Sequence, residues 1–218
     1  MSGTSLDAVD AAIILTDGEK VLEFGPTAER TYTDGERAIL AEAVKAALSW
    51  NWVGEPPVTV FDAARDVLTR THADAFHDAI SKCAPRQLPK LVGIHGQTVL
   101  HRAPTKDKNG ATLQIVDEAA IAKSFGIPVA FDFRSADVTA GGQGAPLAPI
   151  YHQALCHDLE GPIAVLNLGG VANLTFVSKT SPLLGFDCGP ANGPIDEWIE
   201  GHGKGRFDKD GTLALTGH

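Results

Sequence analysis

The chain has 218 residues, of which 44% are hydrophobic, 21% charged and 6% aromatic, a composition typical of a globular protein with its own core. It lies far from the compositions of disordered, collagen-like and membrane-embedded chains. With 18 Lys and Arg against 27 Asp and Glu, the net charge is −9, which argues against binding nucleic acid or an anionic membrane through a basic surface.

The cysteines and the N-terminus bear on the compartment. Cys83, Cys156 and Cys188 are odd in number and widely spaced, so they predict neither a disulfide framework nor a thiolate zinc site. The first residues lack the basic and then apolar order of a signal peptide, and no apolar run is long enough to span a bilayer. We therefore expect a soluble, cytoplasmic protein.

The first elements predicted are a hairpin or meander and then an amphipathic helix. Residues 9–15 form an apolar run of strand length, residues 16–19 a turn, and residues 21–24 the returning strand. From 33 to 49 apolar residues recur at three- and four-residue spacing, which predicts a helix with Asp34 as its N-cap.

A second long helix and a crossover follow. The apolar spacing predicts a helix over about 57–83, capped by Thr59. A brief strand at 91–94 ends in a polar turn, and then come a helix at 117–125 and a strand at 127–131. The order strand, helix, strand indicates a βαβ crossover.

The rest of the chain predicts a second domain. The glycine-rich stretch 140–146 marks the change, and we draw the boundary between residues 138 and 139. One helix and three strands are predicted, over 149–156, 163–168, 174–177 and 183–186. The run 163–168 has the character of a buried strand.

The N-terminal motif MSGTSLDAVD brings two hydroxyls and two carboxylates together around Gly3, just before a strand. A glycine lets the backbone approach a phosphate, hydroxyl and N–H groups bind its oxygens, and a carboxylate can hold Mg²⁺ through water. An ordinary turn with Asx and hydroxyl hydrogen bonds explains the same residues. Both interpretations stay open on spacing alone.

Two later motifs follow predicted strands. Residues 167–173 carry two asparagines around a Gly-Gly turn, which fits a phosphate or sugar contact or a plain hairpin. Asp187 comes at the expected end of a strand and precedes Gly189 and Pro190. A rigidly held but open carboxylate is what a catalytic base requires, although an Asx turn explains it equally well.

Polar residues also follow the strands of the crossover, where α/β sheets gather ligands. His95 and Gln97 follow the first strand, and Asp132 and Arg134 the second. Together they indicate a cleft for a polar ligand. Singly, His95 reads as a structural histidine and Arg134 as an ion-pair partner of Asp132 or Asp137.

Other chemistries are less well supported. The sequence has no GxSxG elbow, and Cys188 has no histidine partner nearby in the sequence. A metal-dependent hydrolase would use residue types that bind zinc or manganese, namely His95, Asp132, His152 and Asp187, but their spacing is not that of a ligand set.

Taken together, several strings resemble one family, the anhydro-N-acetylmuramic acid kinases of bacterial peptidoglycan recycling, within the actin-like, Hsp70-like and sugar-kinase ATPase superfamily. The strings are MSGTSLDAVD, HGQTVLHR, LQIVDEAAIA, GIPVAFDFRSADVTAGGQGAPLAP, LNLGGVANLT, GFDCGPAN and FDKDGTLALTG. They run in family order through essentially the whole chain.

The resemblance implies an α/β, actin-like (ribonuclease H-like) fold with a first lobe over 1–138 and a partial second lobe over 139–218. It also implies ATP- and Mg²⁺-dependent opening of 1,6-anhydro-N-acetylmuramic acid with phosphorylation of O6, giving N-acetylmuramic acid 6-phosphate and ADP. Asp187 would be the general base. The phosphate-binding residues would be Gly3, Thr4, Ser5, Leu6, Asp7, Ala8, Val9, Asp10, Asn167, Gly169, Gly170 and Asn173. The sugar-side residues would be His95, Gln97, Asp132, Arg134 and Asn192.

The chain departs from the family pattern in ways that affect these expectations. It begins at the first phosphate turn and stops near the middle of the second lobe, so we expect a truncated kinase with little turnover alone. Residues Ala8, Val116, Glu118 and Ala191 stand where the pattern has glycine or proline. Exposed sheet edges and apolar surface would favour pairing with another chain, such as a homodimer. The alternative is a noncatalytic remnant that binds muramyl sugars.

Overall fold

The computed structural model describes residues 5–217, so Gly3 and Thr4 of the first phosphate motif lie outside the described residues. The chain is a mixed α/β protein that divides into two compact units, Met1–Ala145 and Pro146–His218. The lobe boundary expected after residue 138 stays a prediction. None of the described helices has both the length and the apolar character needed to cross a bilayer.

The first unit opens with the expected hairpin. Strand β1 (Ala8–Thr16) pairs antiparallel with β2 (Val21–Thr31), which extends well beyond the four residues expected. In the turn, one oxygen of Asp17 accepts hydrogen bonds from the backbone N–H groups of Glu19 and Lys20. These bonds close the turn and lower the pKa of Asp17.

Two long helices follow, but their caps differ from those expected. Helix α1 (Asp34–Trp50) is capped by Thr33, whose hydroxyl accepts from Glu36 N at 3.3 Å while Glu36 Oε2 accepts from Thr33 N at 2.9 Å. The prediction of Asp34 as N-cap was wrong because this reciprocal box needs the hydroxyl three residues before the glutamate.

Helix α2 (Val58–Ser81) starts after Pro57 with no side-chain cap, so the prediction of Thr59 was also wrong. Proline lacks an N–H group and has a restricted φ, so the helix can begin directly after it. Helix α2 packs against both strands of the β1–β2 hairpin, and α1 packs against α2. The core between them includes Val9, Leu40, Ala64 and Leu68, all essentially inaccessible to solvent.

The middle of the first unit contains the predicted crossover. Strand β3 (Val92–Gly93) pairs in parallel with β6 (Val129–Ala130), which confirms a βαβ crossover, although both strands are shorter than expected. Helix α3 (Glu118–Phe125) comes between these two strands in the chain. Its N-cap is Asp117, whose side chain accepts a 2.8 Å hydrogen bond from Ala120 N. Buried Ile94 and Ile121 form a small core here.

The crossover also contains elements that were not predicted. Antiparallel strands β4 (Gln97–Arg102) and β5 (Ala111–Ile115) form a second hairpin, and α4 (Ser135–Thr139) follows β6. The sequence of β4 mixes polar and apolar residues, and its first two residues fall in the polar turn expected at 95–98. For these reasons β4 was not predicted as a strand. The hairpin gains its stability from packing, since Val99, Leu100 and Ile115 join the main core.

The second unit is a three-stranded antiparallel sheet with helices α5 (Ala148–Leu155) and α6 (Gly193–Gly201). The strands are β7 (Ile163–Leu168), β8 (Val171–Val177) and β9 (Leu184–Pro190), in that order across the sheet. Two 3-10 turns follow α6, at Lys209–Gly211 and Ala214–Thr216.

The two faces of this sheet differ. On one face α5 contacts β8, with His152 Nδ1 2.8 Å from the buried Thr175 hydroxyl. On the other face, large apolar side chains including Leu166, Leu168 and Phe186 are about half exposed. The prediction that 163–168 is a buried strand was therefore wrong, because only one face of β7 is covered within the described residues.

Candidate functional site

His95 and Arg134 follow β3 and β6, as predicted, and the parallel pairing of these strands brings them together. Arg134 Nε donates to His95 Nε2 at 2.8 Å, and His95 Nδ1 lies 3.0 Å from the carbonyl oxygen of Gly96. A neutral imidazole protonated at Nδ1 satisfies both contacts. Burial lowers the pKa of His95, and the charge of Arg134 lowers it further, so the neutral form is favoured.

Gly96 makes this arrangement possible. Its φ is +70°, and a Cβ placed there would lie 2.6 Å from the carbonyl oxygen of Ile115 at the end of β5. A larger residue would therefore be strained by its backbone conformation and would collide with the neighbouring strand. The turn between β3 and β4 keeps His95 beside the end of β5 only because residue 96 has no side chain.

A cavity of about 190 Å³ opens beside His95 within the first unit. Its wall combines polar and apolar side chains: His95, Thr112, Leu113, Gln114, Val116, Glu118, Phe131, Asp132 and Ser135. Hydroxyl, amide and carboxylate groups beside an apolar surface suit a small ligand with many hydroxyl groups. Two of the predicted sugar-side residues, His95 and Asp132, line this cavity.

The other two predicted sugar-side residues of this unit lie differently. Gln97 is 2% exposed in β4, and its amide donates to the Thr98 carbonyl oxygen at 3.3 Å. Arg134 donates through Nη1 to Gly144 O at 2.6 Å as well as to His95, and it forms no salt bridge with Asp132 or Asp137. Their roles in binding sugar stay predictions.

Sequence reasoning missed the contribution of β5 to the cavity. Gln114 Nε2 donates to the hydroxyls of Thr98 and Thr112, at 3.2 and 2.7 Å. These residues lie in the β4–β5 hairpin, which was not predicted, so nothing in the sequence placed them near His95. Glu118, at the start of α3, was noted only as a departure from the family pattern. Gln114 and Glu118 both lie in the string LQIVDEAAIA, which was quoted only for the family resemblance.

The first phosphate motif can be described from Ser5 onward. Ser5 Oγ donates to Asp7 Oδ1 at 2.6 Å, and the same oxygen accepts from Ala8 N at 2.9 Å. Leu6 between them has a φ of +51°. Both are local hydrogen bonds to one oxygen of Asp7, and they hold the bend just before β1.

In the second unit, three polar residues stand in one row across the sheet. Asn167 in β7 is opposite Asn173 in β8, and Asn173 is opposite Asp187 in β9. Directly opposed residues of antiparallel strands project from the same face, so the two amides and the carboxylate share a face. We call Asn167, Asn173 and Asp187 the polar row.

Asp187 lies inside β9, so the expectation that it ends a strand was wrong. The register between β8 and β9 shifts immediately after it, because Ala172 pairs with Gly189 and Asn173 with Asp187, leaving Cys188 as an extra residue. Such a β-bulge bends the strand and re-aims the neighbouring side chains. Asp187 is exposed, and within residues 5–217 its carboxylate forms no hydrogen bond or salt bridge.

The turn beside the polar row is joined to the start of α6. The backbone N–H groups of Asn192 and Gly193 donate to the carbonyl oxygens of Gly169 and Gly170, at 2.8 and 3.1 Å. The Asn192 side chain donates to Leu168 O at 2.9 Å. The predicted residues Asn167, Gly169, Gly170, Asn173, Asp187 and Asn192 therefore form one local cluster.

Comparison with known proteins gives the family. The model of the anhydro-N-acetylmuramic acid kinase family matches residues 1–218. The chain belongs to the anhydro-N-acetylmuramic acid kinase family. The family is named for a kinase, so the family resemblance stated from the motifs is confirmed.

Similar proteins carry the same name. The chain is 46% identical to an anhydro-N-acetylmuramic acid kinase of Caulobacter vibrioides and 48% identical to one of Phenylobacterium zucineum. One from Acidiphilium cryptum is 46% identical. Each comparison covers 100% of this chain but only 57 to 59% of the relative. The chain thus spans less than two thirds of the length of these relatives.

Proposed function

We propose that this chain supplies the sugar pocket and the catalytic carboxylate of an ATP-dependent kinase that opens and phosphorylates 1,6-anhydro-N-acetylmuramic acid. Membership of the family supports the reaction class. The observation that carries the assignment of the base is Asp187, an exposed carboxylate beside a β-bulge and in line with two amides. The proposed fold is actin-like, with the second lobe in part.

In this proposal Asp187 acts on a water molecule. The carboxylate accepts a proton from the water molecule. As it does so, the water oxygen bonds to the anomeric carbon C1, and the bond between C1 and O6 breaks. The freed O6 then bonds to the γ-phosphorus of ATP, and ADP leaves. Because the exposed Asp187 carboxylate has no partner among residues 5–217, its lone pairs are available for this water.

The phosphate groups need hydrogen-bond donors rather than charge alone. The proposed donors are the hairpin residues from Gly3 to Asp10 and, in the second unit, the Gly169–Gly170 turn with the side chains of Asn167 and Asn173. Side-chain amides and backbone N–H groups suit phosphate oxygens because they donate without needing a counterion. In the described part of the chain, the neighbouring Gly-Gly turn is anchored to α6, which supports a fixed geometry.

Magnesium offsets negative charge on the phosphates during phosphoryl transfer. Within the described residues there is no cluster of three His, Cys, Asp or Glu residues that could hold a metal ion. In this proposal the cation would be bound chiefly by nucleotide phosphates and water.

The cavity beside His95 is the proposed sugar site. Its hydroxyls, its amide and two carboxylates offer hydrogen-bond partners for sugar hydroxyls, and Phe131 and Val116 offer an apolar surface for the ring. Asp132 contributes directly in this proposal. Arg134 contributes through His95, because its Nε and Nη1 are both engaged within the protein.

Two measurements on the same preparation test the proposal. We expect calorimetric titration with 1,6-anhydro-N-acetylmuramic acid to show saturable binding, and a coupled assay with ATP and Mg²⁺ to show slow but sugar-dependent ADP release. Binding without ADP release would contradict catalysis by these 218 residues and support a noncatalytic sugar-binding module. Absence of both would reject the proposed function of the cavity.

A further inference from the structure

The end of the first unit carries a backbone clamp on Gly144. Gly144 is buried and has a φ of +69°, and the unit ends one residue later, at Ala145. Its N–H donates to Asp137 Oδ2 at 2.7 Å, and its carbonyl oxygen accepts from Arg134 Nη1 at 2.6 Å. Both hydrogen-bonding groups of this loop residue are therefore held by charged side chains, which make stronger bonds than neutral ones.

Packing around the clamp leaves little freedom. A Cβ on Gly144 would lie 2.5 Å from a methyl group of the buried Val138, and a Cβ on Gly142 would overlap the Asp137 carboxylate. Arg134 immediately precedes α4, and Asp137 and Val138 lie within it. One short helix and the residue that precedes it thus carry both charged groups and the apolar group that close on Gly144.

Arg134 also reaches the cavity wall. The same guanidinium that binds Gly144 through Nη1 donates from Nε to His95, and His95 lines the cavity. A planar guanidinium holds two acceptors at a fixed angle, whereas a lysine ammonium group is a single point charge on a flexible stem. A shift of His95 is therefore transmitted to the Gly144 peptide through one rigid group.

We propose that Arg134 and Asp137 are positioning residues that fix the Gly144 peptide where the chain leaves the first unit, and that Arg134 couples occupation of the cavity to the order of this peptide. The coupling rests on the proposed function, since it takes the cavity ligand to be the sugar. The clamp on Gly144 does not depend on the proposed function. A ligand that orders His95 would order Gly144, and the two effects must be reciprocal in free energy.

Hydrogen exchange of the Gly144 amide, followed by nuclear magnetic resonance on the 218-residue chain, tests the clamp. In the unaltered protein we expect strong protection, although Gly144 lies outside regular secondary structure. We expect Asp137→Ala to speed exchange at least tenfold. Asp137→Asn should change it less than threefold, because the amide oxygen still accepts the hydrogen bond.

Asp107→Ala, in an exposed loop of the same unit, is the matched control and should leave Gly144 exchange unchanged. An unprotected Gly144 amide in the unaltered protein overturns the clamp even if Asp137→Ala fails to fold. Equal exchange in Asp137→Ala and the unaltered protein overturns it as well.

The coupling is tested by adding 1,6-anhydro-N-acetylmuramic acid. We expect saturating sugar to slow Gly144 exchange at least fivefold in the unaltered protein and to have no such effect in Arg134→Lys. Calorimetric binding without slower exchange overturns the coupling while the proposed function stands. No calorimetric binding rejects the proposed function and, with it, the coupling to sugar, whereas the clamp is still judged by the exchange rates without ligand.

Discussion

Asp187 lies directly opposite Asn173 in the antiparallel pair of β8 and β9, and the register breaks at the next residue. The bulge at Cys188 separates the regular part of β9 from the segment that leads through Pro190 into α6. Pairing resumes at Gly189, so the strand stays attached on both sides of the bulge while the bulge changes the direction of the neighbouring side chains. This geometry makes Asp187 the residue whose substitution is most informative.

Replacing Asp187 should remove catalysis without removing binding. We expect Asp187→Asn to lower sugar-dependent ADP release at least 100-fold, because an amide cannot accept the proton of water, while the calorimetric affinity for sugar changes less than threefold. Glu160→Gln, at an exposed carboxylate in the same unit, should have no effect. ADP release at the unaltered rate from Asp187→Asn would exclude this residue as the base.

Gln114 should contribute to sugar affinity. Both contacts of its Nε2 are to threonine hydroxyls, so the side chain is oriented at the cavity wall and its carbonyl oxygen is available to a sugar hydroxyl. We expect Gln114→Leu to weaken sugar binding about fivefold, as for the loss of roughly one hydrogen bond, about 1 kcal/mol. Gln87→Leu, at a half-buried glutamine outside the cavity, is the control for calorimetry. Unchanged affinity in Gln114→Leu would remove β5 from the sugar site.

Glu36 should make stability depend on acid pH. Its carboxylate is 9% exposed; burial raises its pKa, but hydrogen bonds from Arg30, the Thr33 backbone and Arg70 outweigh burial and lower the pKa to about 2. A lowered folded-state pKa stabilises the protein above the unfolded value of 4.5, and this contribution is lost as the pH falls from 4.5 to 2.

We therefore expect Glu36→Gln to lower the free energy of unfolding at pH 7 by about 3 kcal/mol and to lose less stability than the unaltered protein below pH 4.5. Urea denaturation at several pH values measures this. Glu42→Gln, at an exposed position in the same helix, is the control. Parallel pH curves for Glu36→Gln and the unaltered protein would contradict the ion-pair assignment.

His72 should also make the protein less stable as the pH falls, over a higher pH range than Glu36. Burial lowers its pKa to about 4, and its Nε2 is the one buried side-chain nitrogen or oxygen in the described residues without a hydrogen-bond partner. The unfolded state takes up a proton below pH 6.5 that the folded state refuses until about pH 4, so stability falls across this interval.

Replacing His72 with leucine removes this titration. Between pH 6.5 and 4, we expect the free energy of unfolding of His72→Leu to fall by about 3 kcal/mol less than that of the unaltered protein. His157→Leu, at an exposed histidine, serves as the control in the same urea series. The expectation fails if both histidine variants follow the pH curve of the unaltered protein.

Much of the architecture was readable from local patterns. Apolar spacing located α1, α2, α3 and the three strands of the second unit, because helical and strand periodicities are local properties. The β4–β5 hairpin escaped because its strands are mixed in polarity and stable only through packing of Val99 and Ile115 against distant helices. The caps at Asp34 and Thr59 were assigned wrongly because each was predicted from the type of one residue. The start of α1 depends on a reciprocal pair of side chains, and that of α2 on the geometry of a proline.

By themselves, the residues determined the family and the identity of the polar groups, since the motifs are contiguous strings that need no folding to be recognised. Tertiary structure alone decided which of those groups meet. Pairing of β3 with β6 joins His95 to Arg134, the register of β7, β8 and β9 aligns Asn167, Asn173 and Asp187, and α4 closes on Gly144. Such contacts arise between residues far apart in the chain, because burying the core brings together polar groups that no local pattern relates.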